Sequence, residues 1–213
     1  MGRDVQCFFM EPTGKVRVKL RRYTRGDGEC MDTRNWGYHQ ASVDVGDFED
    51  VDRDVSDLHP GESKFGIAYE DPRWPSHCIC GTKFSDDVVK QVFEELLLRK
   101  QGTDELFTIR NLPHGAMWYA EHYGDIPAWC GPDGKALMVQ VLDHPWHVDG
   151  RASNCTMPED NVHKCWVRHG EPPNVTVDKN GHTCQAGGGS IWVRMGKPDG
   201  WHGFLRNGRL EEC

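Results

Sequence analysis

The stretch HGFLRNGRLEE, residues 202–212, carries the clearest fold signal in the chain. Its centre, Asn207-Gly208, is a dipeptide that two-residue β-hairpin turns favour, because both turn positions need a positive φ. The flanking segments, His202–Arg206 and Arg209–Glu212, are therefore predicted to be antiparallel strands. We expect this hairpin to belong to a compact β-rich unit that includes most residues after 154.

Short strands separated by glycine and proline are also predicted upstream of this hairpin. Candidate strands are Lys164–His169, Ser190–Arg194 and, after the turn sequence Gly131-Pro132-Asp133-Gly134, Ala136–Leu142. The change of texture after Asp143 predicts a division near residue 150. We expect a β-rich region over 1–150 and a small unit over 151–213, with one continuous domain as the alternative.

The N-terminal region also predicts strands. Apolar residues alternate with basic residues over 15–21, which is typical of a strand with one solvated face. Together with Val5–Met10, across the turn residues 12–14, this segment predicts a hairpin. Tyr38–Val45 and Phe65–Glu70 are further candidate strands.

One amphipathic helix is predicted over Asp86–Arg99. Ser85 is a favourable N-cap, and the residues after it place apolar side chains along one helical face. These apolar residues are Val88, Val89, Val92, Phe93, Leu96 and Leu97. A second short helical turn is predicted across 115–122. The fold class is thus α+β and predominantly β, with short antiparallel strands and one helix at about 86–99.

The charge of the chain excludes one class of function. A formal net charge of −8 argues against nonspecific nucleic-acid binding, which needs a basic surface. Seven acidic residues and one basic residue lie within 44–57, which we interpret as a solvated loop. Residues 15–25 are basic.

Cysteine content points to metal binding. No run of about 18 apolar residues predicts a membrane span, and the apolar patch near the N-terminus is too short for a signal peptide. We therefore expect the protein to fold in the cytosol and not to be secreted. Nine cysteines are many for a reducing compartment, where metal ligation is the usual alternative to disulfides.

The first candidate metal site is centred on His77-Cys78-Ile79-Cys80-Gly81. Two cysteines closed by glycine can form a knuckle-like turn, although zinc knuckles usually leave two residues between the cysteines. Upstream, Cys30 and His39 are the nearest suitable partners, and His77 could replace one sulfur. The alternative is that these cysteines simply pack under the predicted helix.

The second candidate site lies in the C-terminal unit. Seven potential ligands occur within fifty residues: Cys155, His163, Cys165, His169, His182, Cys184 and His202. Residues two apart in a strand share a face, so His163 and Cys165 point the same way. We predict a closed structural zinc site formed by Cys155, Cys165, Cys184 and one histidine, either His163 or His202. In all, one or two structural zinc ions are expected.

No catalytic residue is assigned from the sequence. His144 and His147 lie between two aspartates, but Pro145 prevents the helical spacing that hydrolytic zinc sites use. The glycine run 187–189 lacks the lysine that a phosphate loop requires.

Several segments resemble a known group of sequences: 151–156, 163–173, 177–184, 201–208, 112–118 and 131–134. Over about three quarters of its length, the chain is similar to a family of uncharacterised proteins of tailed phages and prophages of actinobacteria and other bacteria. The C-terminal end also resembles a small phage domain that carries the label ammonia monooxygenase. The residues show no copper-oxygenase pattern, so that label is not adopted.

This resemblance implies a phage setting and no particular chemistry. We expect a virion structural or accessory protein, such as a head decoration, neck or tail component, whose partners are other virion proteins or further copies of the chain. The alternatives are a binding or inhibitory factor acting in the host cytoplasm, and a metal-dependent hydrolase. Neither a nucleic-acid nor a membrane partner is expected.

Overall fold

In the computed structural model of the chain, the regular secondary structure is mostly β-strand, with short 3₁₀ segments. The structure describes residues 3–24, 30, 38–50, 63–86, 88–121, 126–151, 155–157, 159–160, 163–179, 190–194, 196–197 and 200–213. Within these ranges, no helix is long and apolar enough to span a membrane. The strands are β1 Val5–Gln6, β2 Phe8–Tyr23, β3 Gln40–Glu49, β4 Val89–Lys100, β5 Leu106–Thr108, β6 Ala116–Tyr119, β7 Leu137–Val141, β8 His144–His147, β9 Val167–His169, β10 Thr176–Asp178, β11 Ile191–Val193, β12 Trp201–Arg206 and β13 Arg209–Glu212.

The chain folds as two compact units. The N-terminal unit comprises residues 12–98 and 108–110, and the C-terminal unit comprises 1–11, 99–107 and 111–213. These bounds differ from the predicted regions 1–150 and 151–213. The difference arises because residues 1–11, 99–107 and 111–150 belong with the C-terminal strands.

The predicted hairpin around Asn207-Gly208 is confirmed. β12 and β13 pair antiparallel, and the turn residues Asn207 and Gly208 have φ values of 47° and 70°. The sheet continues on both sides in the order β1-β13-β12-β11. The predicted strands around 136–142, 164–169 and 190–194 are also present as β7, β9 and β11.

The core of the C-terminal unit lies under these strands. β6, β7 and β8 pair antiparallel, and all five residues of β7 are buried. The buried residues of this core are Cys7, Met117, Leu137, Val139, Val141, Val148, Val175, Val177, Ile191, Trp201, Leu205 and Leu210.

The close packing of the Gly208 turn against Pro173 can be tested by substitution. A Cβ at Gly208 would lie 2.4 Å from the carbonyl oxygen of Pro173, whereas one at Gly134 would meet no atom within 4 Å. Both glycines have nearly the same φ, 70° and 72°. We expect Gly134→Ala to cost about 1 kcal/mol through backbone strain alone, and Gly208→Ala to cost about 3 kcal/mol or more. Equal losses in denaturant melts of the two variants would contradict the packing.

In the N-terminal unit, β2 pairs antiparallel with β3 over Lys15–Tyr23. The predicted hairpin at 12–14 is wrong, because β2 continues through this segment from Phe8 to Tyr23. Gly14 has a φ of 69° within the strand, and the Thr13 hydroxyl donates to the Leu97 carbonyl oxygen at 2.7 Å. A single residue with positive φ is accommodated in the strand here and does not reverse the chain.

Ion pairs connect the first part of the acidic segment to β2. Lys15, Arg17 and Lys19 on β2 contact Glu49, Asp47 and Asp44 on β3, at 3.2, 2.8 and 3.7 Å. Residues 44–49 are therefore strand and not the predicted solvated loop. The later acidic residues at 52, 54 and 57 lie outside the described residues.

The predicted helix over 86–99 is wrong, because β4 occupies Val89–Lys100. Its burial alternates over residues 94–97, where Glu95 and Leu97 are buried and Glu94 and Leu96 are exposed, and Leu98 is buried as well. An apolar pattern such as i, i+1, i+4 is compatible with a helix, but β-branched and aromatic residues at 88–93 favour strand. Glu95 is accommodated in the buried position by Lys19, whose Nζ lies 2.9 Å from its carboxylate.

Two smaller predictions also need correction. The segment 115–122 contains strand β6 in place of a helical turn, and its last residue lies outside the described residues. Residues 65–70 form turns and no named strand.

Candidate metal centres

A tight turn presents Cys78 and Cys80. The backbone N–H of Cys78 donates to the Thr82 carbonyl oxygen at 2.8 Å, and the N–H of Gly81 donates to the Cys78 carbonyl oxygen at 2.9 Å. Gly81 has a φ of 93°, a left-handed value that favours glycine. Despite the short spacing of its cysteines, the segment therefore forms a closed, knuckle-like turn.

Four potential ligands meet at this turn. One ligand atom from each of Cys30, His39, Cys78 and Cys80 lies within 4.8 Å of all the others. The Cys30 and Cys78 sulfurs are 3.7 Å apart, and the Cys80 sulfur is 3.3 Å from His39 Nδ1. We call these residues the N-terminal cluster. His77 is exposed, lies 2.9 Å from the Ser76 hydroxyl through Nδ1, and is not part of the cluster.

The end of β2 and the start of β3 position His39. The backbone N–H of His39 donates to the Thr24 hydroxyl at 3.1 Å, and the Thr24 N–H donates to the His39 carbonyl oxygen at 2.9 Å. Cys78 is buried beside Phe84 and Val88. Cys78 thus packs against apolar side chains, but the alternative interpretation required both cysteines to lie under a helix. Strand β4 occupies the segment of that helix, and Cys80 is exposed.

Hydrogen bonds at Cys80 favour its thiolate. The Thr82 hydroxyl, at 3.3 Å, and the Thr82 backbone N–H lower the pKa of Cys80 to about 6. Burial raises the pKa of Cys78, which the backbone N–H of Cys80 opposes. Because the thiolate is the metal-binding form of cysteine, the turn prepares Cys80 for ligation at neutral pH.

A second cluster lies in the C-terminal unit. Ligand atoms of Cys155, His163 and Cys165 all lie within 4.8 Å of one another, and we call these residues the C-terminal cluster. Cys165 Sγ is 3.8 Å from His163 Nε2. The backbone N–H of Met157 donates to the Cys155 sulfur at 3.4 Å. Cys184, the fourth predicted ligand, lies outside the described residues.

Two cations hold the backbone around the C-terminal cluster. The guanidinium of Arg151 donates to the carbonyl oxygens of Met157 and His163 at 3.2 and 3.1 Å. Lys179 Nζ donates to the Cys165 carbonyl oxygen at 2.7 Å. These contacts fix the chain on both sides of the ligands, so the cluster does not depend on strand structure at Cys155.

The structure separates the two histidines that the sequence left as alternatives. His163 belongs to the C-terminal cluster, whereas His202 lies on β12, where Nδ1 is 3.2 Å from the Cys213 sulfur. The His202 ring also stacks against Trp192, with centroids 4.0 Å apart. His202 and Cys213 therefore lie together, and neither belongs to the C-terminal cluster that His202 was a candidate to complete.

The histidine pair at 144 and 147 does not form a site. His144 Nδ1 lies 2.6 Å from the Asp143 carboxylate, while His147 Nε2 donates to the Trp129 carbonyl oxygen at 2.8 Å. Both residues are in β8, where residues three apart point to opposite faces. Burial lowers the pKa of His147.

A buried charge network in the C-terminal unit was not predicted. The guanidinium of Arg168, whose side chain is 2% exposed, contacts Asp133 at 2.6 Å and Asp149 at 3.1 Å. The Tyr119 hydroxyl donates to Asp133 at 2.8 Å. A Cβ at Gly131 would lie 1.8 Å from the guanidinium, so a glycine is needed there. The members of this network are far apart in the sequence, so no local sequence pattern predicts it.

This network predicts a pH dependence of stability. Burial raises the pKa of Asp149 from 3.8 to about 6. Between about pH 6 and pH 4 the folded protein therefore keeps a proton that the unfolded chain has lost, so this group increases stability as the pH falls. At about 1.4 kcal/mol per pKa unit, the full shift corresponds to about 3 kcal/mol, of which about 2 kcal/mol is gained by pH 4.

The test is to compare urea melts of the natural chain and of Asp149→Asn at pH 7 and pH 4. We expect the stability difference between the two proteins to shift by about 2 kcal/mol over this range, in favour of the natural chain at the lower pH. A difference that does not change with pH would show that Asp149 does not titrate in this window.

Comparisons with known proteins do not add to this description. No model of a protein family, no curated protein and no solved structure matches the chain. The described part of the chain contains two Cys/His clusters that could hold a metal ion, one in each unit.

Proposed function

We propose that the protein binds structural zinc at the N-terminal cluster. The observation that carries this proposal is that three sulfurs and one imidazole nitrogen lie within 4.8 Å of one another. A Cys₃His set is a common ligand set of closed, tetrahedral zinc sites. Soft thiolate donors also favour zinc over calcium or magnesium.

The C-terminal cluster is the proposed second zinc site. Two sulfurs and one imidazole nitrogen lie within 4.8 Å of one another there, and Cys184 is the proposed fourth ligand from the sequence. The C-terminal unit would then use the same Cys₃His chemistry as the N-terminal unit. Zinc bound only in the folded state contributes directly to folding free energy.

A structural role suits this ligand set better than hydrolysis does. Hydrolytic zinc sites keep one coordination position for water or substrate. In the N-terminal cluster the protein supplies all four donors, so a bound zinc ion would have no position left for a substrate. A metal-dependent hydrolase is therefore the less favoured function.

We propose further that this zinc-held β-protein is an accessory component of a tailed-phage virion. The resemblance to phage proteins supports the setting, and two units each held by a metal would suit a rigid role in a head, neck or tail. A net charge of −8 disfavours direct contact with packaged nucleic acid, so other virion proteins or further copies of the chain are the proposed partners.

Mass spectrometry of gradient-purified phage particles tests the virion role. We expect the protein at a fixed copy number relative to the major capsid protein, and at the same ratio after a second gradient. Absence from the particles, with abundant protein in infected cells, would overturn the virion role. It would favour a host-acting binding factor, for which Trp192, 51% exposed, is a candidate anchor.

A further inference from the structure

The two clusters differ in their access to solvent. Cys80 of the N-terminal cluster is an exposed residue. In the C-terminal cluster, Cys155 is partly exposed, whereas Cys165 is 0% exposed and His163 is 9% exposed. Reagents dissolved in water can therefore reach a sulfur of the first cluster far more easily than the Cys165 sulfur of the second.

The N-terminal cluster also places other thiols next to the exposed one. Its ligand atoms, which include the sulfurs of Cys30 and Cys78, all lie within 4.8 Å of one another. A disulfide needs a shift of these sulfurs to about 2 Å, which the side chains can supply once no metal holds them apart. The cluster therefore contains both an exposed sulfur, that of Cys80, and neighbouring cysteine sulfurs within reach of it.

We propose that the N-terminal cluster is a peroxide-reactive site, which releases its metal when Cys80 is oxidised, while the C-terminal cluster keeps its metal. This inference rests on the proposed zinc site and concerns its regulation. It assigns Cys80 as the residue that reacts first, and Cys30 or Cys78 as the second thiol.

The chemistry balances without a further reactant. The Cys80 thiolate attacks one peroxide oxygen, the O–O bond breaks, and the departing hydroxide takes up a proton to form water, which leaves a sulfenic acid. The second thiol then attacks the Cys80 sulfur, the S–O bond breaks, and a second water forms with the disulfide. Two thiols are oxidised, one peroxide is reduced to two waters, and the zinc ion loses two of its four ligands.

The experiment treats the zinc-loaded full chain with hydrogen peroxide and follows released zinc with a chromogenic chelator. Differential alkylation and peptide mass spectrometry then identify which cysteines have been oxidised. We expect one zinc ion to leave about tenfold faster than the other, with oxidation first at Cys80, because thiolate exposure controls the reaction rate. A phosphine reductant followed by added zinc should restore the full metal content.

The variant Cys213→Ser is the matched control, because Cys213 is also exposed but lies outside both clusters. Its zinc release should equal that of the natural chain. Equal rates of oxidation at Cys80 and Cys165, or retention of both zinc ions after Cys80 has been oxidised, would overturn the inference and leave the zinc site intact. A chain that never binds zinc would instead refute the proposed function.

Discussion

Replacing Cys78 by serine is expected to remove one zinc ion per chain and to unfold the N-terminal unit. Cys78 combines a buried side chain with a ligand position, its sulfur 3.7 Å from that of Cys30. A serine hydroxyl is a poor zinc ligand, and zinc binding contributes on the order of 10 kcal/mol in small zinc-held domains. This is comparable with the whole stability of a typical domain, about 5–15 kcal/mol.

The measurement is zinc content by elemental analysis together with circular dichroism and denaturant melts. Cys7→Ser is the matched control, because Cys7 is equally buried, 3% exposed against 4% for Cys78, but belongs to neither cluster. It should keep all its zinc and lose only about 1–3 kcal/mol, the cost of a buried hydroxyl. If both variants kept their zinc and were equally stable, Cys78 would not be a ligand.

Replacing Arg168 by methionine is expected to be the most damaging change in the C-terminal unit outside the metal ligands. The guanidinium is the shared partner of Asp133 and Asp149, and methionine would leave both carboxylates without it. Removing one member of a buried ion network typically costs about 3–5 kcal/mol, because the remaining charges stay desolvated. Denaturant melts at pH 7 would measure this loss.

Arg17→Met is the control for Arg168→Met. Arg17 also pairs with a carboxylate, Asp47 at 2.8 Å, but both side chains are 34% exposed. Such pairs contribute about 1 kcal/mol or less. A similar loss in the two variants would mean that burial does not strengthen the Arg168 network. Zinc content should be unchanged in both.

The fold could be predicted where the deciding residues are neighbours in the sequence, and could not be predicted where they are far apart in the sequence. Asn207-Gly208 contains its own turn geometry, and the hairpin was predicted with its strands in place. By contrast, the apolar spacing of residues 86–99 predicts a helix, which the structure does not have. What decided for strand β4 was its place in the sheet beside β2 and the contact of Glu95 with Lys19, which are far apart in the sequence.

The metal clusters likewise could be predicted only where sequence neighbours decide the ligand set. Cysteine and histidine are scarce and chemically specific, so the close pair Cys78 and Cys80, with Cys30 and His39 as the nearest upstream partners, could be proposed from the sequence, although His77 stayed open as a substitute. The choice between His163 and His202 could not be made from spacing, because it depends on how β12 packs. His202 lies beside Cys213 and Trp192, a contact created by strand pairing between β11, β12 and the chain end.

X-ray absorption at the zinc edge of the purified full chain tests the central claim most directly. The account predicts bound zinc with a first shell of about three sulfurs near 2.3 Å and one nitrogen near 2.0 Å. The same shell is expected at both clusters if Cys184 completes the second. Absence of zinc, or a shell built only from oxygen and nitrogen, would contradict the claim that these cysteines hold a structural metal.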